Sequence, residues 1–301
     1  MDVFKREDVK RKIRAFFSDR SVLEVQTPCL VNYGSCEPSI KNFRVKKREG
    51  KSKFLRTSPE SLLKQIVCKT AKDIFELGPV FRNEENGPVH LPEFTMLEWY
   101  RVGYNYQDLM SEVSELLQYL GFTGDIFFHR YCDLFKKFYN LNPLEITTRQ
   151  LSKLTLEDNY SLKKNEIEDR NLMFDLLSYR LIERSLLCND SIYFVYDYPK
   201  ELRCYSTLSE TVPSFSKRFE VFFGTLEIGN GYHEIIDAEE QEKCFAAENR
   251  IKLGRGQKPE KADVDWLRAL TKSHIKELSG VAIGLERLLY KLGVIKNIRI
   301  L

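Results

Sequence analysis

The amino-acid sequence predicts an α+β fold, an antiparallel sheet flanked by helices, and three observations carry that prediction. Segments of strand character lie far apart, at 22–25, 75–81, 94–100, 192–198, 218–236 and 280–283. Amphipathic helices stand between them without the regular βαβ alternation that a parallel sheet requires. Neither Gly-x-x-x-x-Gly-Lys-Ser/Thr nor Gly-x-Gly-x-x-Gly occurs, so the two common phosphate-cradling loops of doubly wound folds are absent from the sequence.

The elements follow in order. Val9, Ile13, Phe16 and Phe17 recur at helical spacing and predict a helix over Glu7 to Asp19. Val22 to Val25 reads as a strand that ends at Pro28. Residues 44–53, RVKKREGKSK, read as a basic hairpin tip around Gly50, a solvated turn or a contact for an acidic partner. Ser58-Pro59-Glu60 predicts a helix start with Ser58 as cap and Pro59 at the first helical position, and Leu62, Leu63, Ile66 and Val67 facing inward. Leu109, Val113, Leu116, Leu117 and Leu120 mark a further amphipathic helix. Residues 145–187 are helical and highly charged, a peripheral insertion. The strand Gly280–Ile283 is followed by a short helix over Leu285–Leu292. No repeat or low-complexity linker divides the chain, so residues 1–301 are expected to form one domain.

Bulk composition narrows the function. Lys plus Arg number 47 against 44 Asp plus Glu, and a net charge of +3 provides no strong basic field to attract nucleic acid. Seven cysteines, at 29, 36, 68, 132, 188, 204 and 244, contain no Cys-x-x-Cys pair. They are expected to be mostly small buried hydrophobes in a reducing compartment. Without an apolar signal core or a membrane-length apolar run, a cytoplasmic protein with no membrane partner is expected.

Two clusters carry chemistry. Arg82-Asn83-Glu84-Glu85 is joined by a short loop to His90-Leu91-Pro92-Glu93-Phe94, which brings a guanidinium, an imidazole and an aromatic face to one hairpin. Such a set can grip a triphosphate and stack a purine. Arg287 follows the glycine-bearing strand Gly280 to Gly284, and Glu220 and Glu227 flank a predicted turn at Gly224. Paired carboxylates near a triphosphate commonly hold magnesium.

These stretches resemble a known family. FRNEE (81–85), HLPEFTMLEWY (90–100), EIGNGYHE (227–234) and GVAIGLER (280–287) are similar to motifs 2 and 3 of lysine-type class II aminoacyl-tRNA synthetases, and VQTP (25–28) resembles motif 1. Within that group the chain most resembles the elongation factor P–(R)-β-lysine ligases, truncated relatives of lysyl-tRNA synthetase. Only 27 residues precede Pro28, too few for the five-stranded OB-fold barrel that reads an anticodon, so no N-terminal OB-fold domain and no anticodon-dependent tRNA recognition is expected.

The resemblance implies a site. Arg82 would hold the α-phosphate and the acyl carboxylate, Glu84 and Phe94 the adenine, and Arg287 the far phosphates of ATP. Asn83, His90, Glu227, Ile228 and Gly284 complete the ATP site, and Glu220 and Glu227 would bind Mg2+. Glu60 with Ser58 and Pro59 would read an amine on the substrate backbone. Glu234 and Tyr100 would hold the side-chain ammonium of a lysine-type amino acid, and Ala282 would lie beside the substrate's backbone atoms, near the α-amine. Pro28 implies a homodimer. Three departures from the family pattern stand out: Leu91 where Asn is usual, Glu286 where Asp is usual, and Arg203-Cys204-Tyr205 in place of small residues.

The implied reaction is formation of an aminoacyl-adenylate from (R)-β-lysine or lysine and ATP, then transfer to the ε-amine of a lysine on elongation factor P. The alternatives are a minimal enzyme that charges tRNA or another acceptor, and an inactive amino-acid-binding paralogue.

Overall fold

The computed structural model describes residues 3–46, 50, 52–83, 87–163, 166–186 and 188–298. The chain begins with α1 (Val3–Ser18), β1 (Leu23–Glu24), β2 (Leu30–Val31), β3 (Arg44–Val45), β4 (Lys53–Leu55) and α2 (Glu60–Thr70). Next come β5 (Ile74–Phe81), β6 (Glu93–Val102), α3 (Tyr106–Tyr119), β7 (Ile126–Arg130), α4 (Tyr131–Tyr139), α5 (Thr148–Glu157) and α6 (Arg170–Ser185). The remainder holds β8 (Ile192–Pro199), β9 (Phe215–Phe223), β10 (Leu226–His233), α7 (Ala238–Gly254), α8 (Val264–Thr271), β11 (Leu278–Gly284) and α9 (Leu285–Lys291).

Eight strands form one sheet in the order β1-β5-β6-β11-β10-β9-β8-β7. Every pairing from β5 to β8 is antiparallel, as expected, and only the edge pairs β1–β5 and β7–β8 are parallel. A small second sheet, β2-β4-β3, contains the start and end of the basic hairpin; Lys47, Arg48, Glu49 and Lys51 at its tip lie outside the described residues.

Successive strand side chains point to opposite faces. Phe75, Leu97, Trp99, Val281, Ile283, Phe219 and Val221 enter a core completed by Val9, Ile13, Phe16 and Phe17 of α1, by α3 and by α9. The α1 face matches its sequence pattern, although the helix starts four residues earlier than expected. Residues 145–187 hold α5 and α6, which pack with α4 and β8 around a second core that includes Tyr131, Phe135, Met173, Phe174 and Leu177.

Three expectations are corrected. Ser58 does not cap α2: Pro59 occupies the cap position, with no side-chain hydrogen bond, and Ser58 faces a cavity instead. On α2 only Leu63 and Val67 of the four predicted apolar residues are fully buried, and Lys64 is buried with them. Of the seven cysteines, all free, only Cys36 and Cys244 are buried; Cys188 is exposed and four are half-buried. Among the described residues no helix is long and apolar enough to cross a membrane.

Candidate active site

The face of the sheet opposite the main core forms the floor of a cavity of about 510 Å3. Two rows of directly paired residues cross four strands there. One runs Glu98–Ala282–Asn230–Glu220 and the next Tyr100–Gly280–Tyr232–Arg218, from β6 through β11 and β10 to β9. Directly opposed residues present their side chains on the same face, and all eight line the cavity. Residues far apart in sequence thus converge through strand register.

At one end lie Arg82, His90, Phe94, Ile228, Gly284 and Arg287. The Arg82 guanidinium sits 5.3 Å from the Phe94 ring centroid, and its Nε donates to the Thr57 carbonyl at 3.4 Å. Arg287 donates from Nη1 to the Glu227 carbonyl at 2.9 Å and from Nε to the Val89 carbonyl at 3.1 Å. It thereby ties α9 to β10 and to the loop that carries His90. Glu286 does not disturb this arginine: it accepts from the Thr95 N–H at 2.8 Å and from Arg6 Nη2 at 2.7 Å, fastening α9 to β6 and α1. Leu91 also lines the cavity.

Not every predicted residue arrives there. Asn83 donates its backbone N–H to the Lys41 carbonyl at 2.9 Å and does not line the cavity, and Pro59 is buried at the start of α2. Glu84 lies outside the described residues. Of Arg203-Cys204-Tyr205 only Cys204 reaches the cavity; Arg203 pairs with Glu240 at 2.7 Å, and Tyr205 packs on Phe245 and Trp266.

Glu220 and Glu227 flank the predicted turn, where Gly224 takes φ +59° between β9 and β10. Glu220 accepts from Tyr198 Oη at 2.7 Å and from Arg218 Nη2, which orients it. Burial, with Glu220 beside it, pushes the Glu227 carboxyl up to about 7 against the pull of Arg287, Arg218 and Arg82. A buried carboxyl whose charge is disfavoured by a neighbouring carboxylate suits a cation beside it. No group of three or more metal-ligating side chains occurs among the described residues. That donor set fits magnesium, which takes one or two carboxylates and draws its remaining ligands from waters and substrate phosphates.

The other end is a pocket of carboxylates. Glu60 on α2, Glu98 and Tyr100 on β6 and Glu234 just after β10 line it together with Ser58, Gly280 and Ala282. Tyr100 Oη donates to Glu98 Oε1 at 2.8 Å. Lys64 Nζ donates to Glu60 Oε1 at 2.7 Å and pairs with Glu234 Oε2 at 2.5 Å. Burial would push Lys64 down, but Glu234 and Glu60 outweigh it and hold the ammonium above its ordinary range. Burial raises Glu98 and Glu234 to about 8 each, with Glu60 adding to both and Lys64 opposing.

Sequence reasoning missed Lys64 and Glu98. Both left a signal: Glu60 and Lys64 have the i,i+4 spacing that pairs charges on a helix, and Glu98 is two residues from Tyr100, hence on the same face of a strand.

The sheet, the two arginines at one end and the carboxylates at the other define an aminoacyl-activating catalytic domain. Residues 2–301 match the class II tRNA synthetases of the D, K and N type, and the chain belongs to that family. Within it, the chain is similar to proteins named elongation factor P–(R)-β-lysine ligase. The one from Haemophilus ducreyi is 34% identical over 292 residues, covering 95% of this chain and 88% of the relative. That from Vibrio cholerae is 34% identical over 289 residues (94% and 89%), and that from Enterobacter sp. 33% over 292 residues (95% and 89%).

Proposed function

We propose that this chain is a cytoplasmic ligase that activates (R)-β-lysine or lysine with ATP and transfers it to the ε-amine of a lysine on elongation factor P. The observation that carries the substrate class is the buried cluster of Glu98, Glu234 and Tyr100 with half-buried Glu60 at its edge, because carboxylates withdrawn from water select compact cations. The acceptor follows from the names of the relatives.

In the first step the substrate carboxylate attacks the α-phosphorus of ATP in line, and pyrophosphate leaves with the electron pair of the broken bond. Arg82 is assigned to the α-phosphate and the carboxylate, Phe94 to the adenine ring and Arg287 to the far phosphates. Positioning and preorganised positive charge then lower the barrier without a protein base. Glu220 and Glu227 would hold Mg2+, which supplies charge neutralisation on the phosphates when bound. In the second step a neutral ε-amine attacks the acyl carbon, the C–N bond forms and AMP leaves. Pyrophosphate exchange dependent on lysine or (R)-β-lysine tests the first step; its absence with both amino acids would refute the assignment.

A homodimer is part of the same reading. Leu23 and Leu30, on either side of Pro28, are 55% and 40% exposed, and a two-fold contact there would cover them. Light scattering should give twice the 35.4 kDa chain mass at micromolar concentration, and a monomer mass would contradict it.

A further inference from the structure

The amino-acid pocket already contains an ammonium. The Lys64 side chain is 1% exposed and its Nζ lies between Glu60 and Glu234, with the Trp266 ring centroid 4.5 Å away and that of Tyr100 at 5.9 Å. Glu98, 2% exposed, accepts from Tyr100 with one oxygen, and its Oε2 has no hydrogen-bond partner among the described residues. Glu76, opposite Glu98 on β5, is taken up by Arg56 at 2.7 Å and by Thr27 Oγ1 at 2.7 Å, so it adds no unpaired charge. Within the pocket Glu60, Glu98 and Glu234 stand against Lys64; half-buried Glu37 lies beyond Glu60 in the same cavity, where Arg82 and Arg218 offset its charge.

We propose that Lys64 is a resident counter-ion that fixes the charge deficit of this pocket at two, so that the pocket is satisfied by an amino acid carrying two ammonium groups. This rests on the assignment of the pocket to a lysine-type substrate. Three carboxylates and one ammonium leave two negative charges uncompensated, and a lysine isomer brings two ammonium groups while its carboxylate is left for Arg82. An amino acid with an apolar side chain brings only one and leaves a buried carboxyl unneutralised. Lys64 touches no substrate atom in this scheme; it acts through Glu60 and Glu234 and is a positioning residue.

The deficit has a consequence for protons. A buried carboxylate without a cation takes up a proton rather than stay charged. In the empty pocket burial raises Glu98 and Glu234 to about 8, so this interacting set of carboxyls shares protons near neutral pH. When two ammonium groups enter, those protons leave. Affinity for lysine then rises as pH climbs through neutrality and levels off above about pH 8, because below that point binding must first expel protons. Replacing Lys64 by a neutral residue deepens the deficit, holds a further proton in the pocket and moves that rise to higher pH.

The test is titration calorimetry of the enzyme with L-lysine or (R)-β-lysine and with L-norleucine, each in two buffers of different ionisation enthalpy near neutral pH. Lysine should release more than one proton per site; norleucine should release about one fewer or fail to bind. Lys64→Met should weaken lysine binding about ten-fold or more near neutral pH and recover toward alkaline pH, while Lys64→Arg, which keeps the cation, should keep the wild-type profile. Lysine binding without proton release, or Lys64→Met with unchanged affinity and pH profile, would overturn the inference. The wild-type proton count needs no variant and decides the matter even if Lys64→Met does not fold. Failure of lysine to bind at all would overturn the functional assignment itself, and this inference with it.

Discussion

Gly280 and Tyr100 face each other across the β11–β6 pairing, and the bare Cα of Gly280 makes room for the phenol ring. A Cβ built at Gly280 would collide with Tyr100 Cε1 and stand 2.7 Å from Glu234 Oε1. A single motif residue, the glycine that opens GVAIG, is thus a requirement of the carboxylate pocket. Gly280→Ala should raise the lysine KM by about ten-fold or more and cost about 1–3 kcal/mol of stability, the usual range for an overpacked site. Exchange kinetics and thermal unfolding check both; an unchanged lysine KM would show that Tyr100 and Glu234 need not approach so closely.

Ala282 pairs with Glu98 on one side and Asn230 on the other, in the row that crosses the pocket floor. Lysyl-tRNA synthetases that the chain resembles carry glycine at this position. In the proposed reading the added methyl would occupy space where an α-amine and a β-amine differ, and one methyl discriminates by about 1–3 kcal/mol, roughly 10–200-fold. The expected outcome is a preference for β-lysine that Ala282→Gly narrows by admitting α-lysine. The measurement is kcat/KM for both isomers in both proteins, and equal selectivity would remove Ala282 from the specificity account.

Arg82→Ala should abolish adenylate formation by about two orders of magnitude or more while leaving the fold intact, since a planar fork that meets two anions has no substitute nearby. Pyrophosphate exchange near the wild-type rate, in a variant whose circular dichroism is unchanged, would refute the assignment.

Arg56 is the stability counterpart. It is 2% exposed, donates from Nη1 to Glu76 at 2.7 Å and to Thr27 Oγ1 at 2.6 Å, and from Nε to the Pro79 carbonyl at 2.9 Å. Truncation leaves Glu76 buried without its counter-ion, so Arg56→Met should cost about 3–5 kcal/mol in denaturant unfolding. A loss below about 1 kcal/mol would mean that the network is not holding the 27–29 segment to β5.

Much of this architecture was legible in the sequence, and particular residues explain the limit. The strands at 94–100 and 280–283 were legible because strand character is written locally in the residues, and the resemblance, not alternation, put Tyr100 at the site. The turn at Gly224 was visible for the same local reason. Lys64 was not, because a lysine within Leu62, Leu63, Ile66 and Val67 reads as the polar face of a helix until Glu234 approaches from a distant strand. Ser58 misled as a cap because a serine before Pro-Glu satisfies local capping chemistry, whereas the cavity turned it away from the helix end. The parallel β1–β5 edge depends on only two residue pairs, Leu23–Ile74 and Glu24–Phe75, too short to leave a pattern.

The most direct test of the central claim is an intact-mass measurement. Purified protein is incubated with ATP, magnesium and either (R)-β-lysine or L-lysine, together with elongation factor P from the same organism. The account predicts that the factor gains the mass of one lysyl residue, with more product from (R)-β-lysine, and that the gain disappears when its acceptor lysine is replaced. An unmodified factor alongside brisk lysine-dependent pyrophosphate exchange would contradict the assigned acceptor and point to transfer elsewhere.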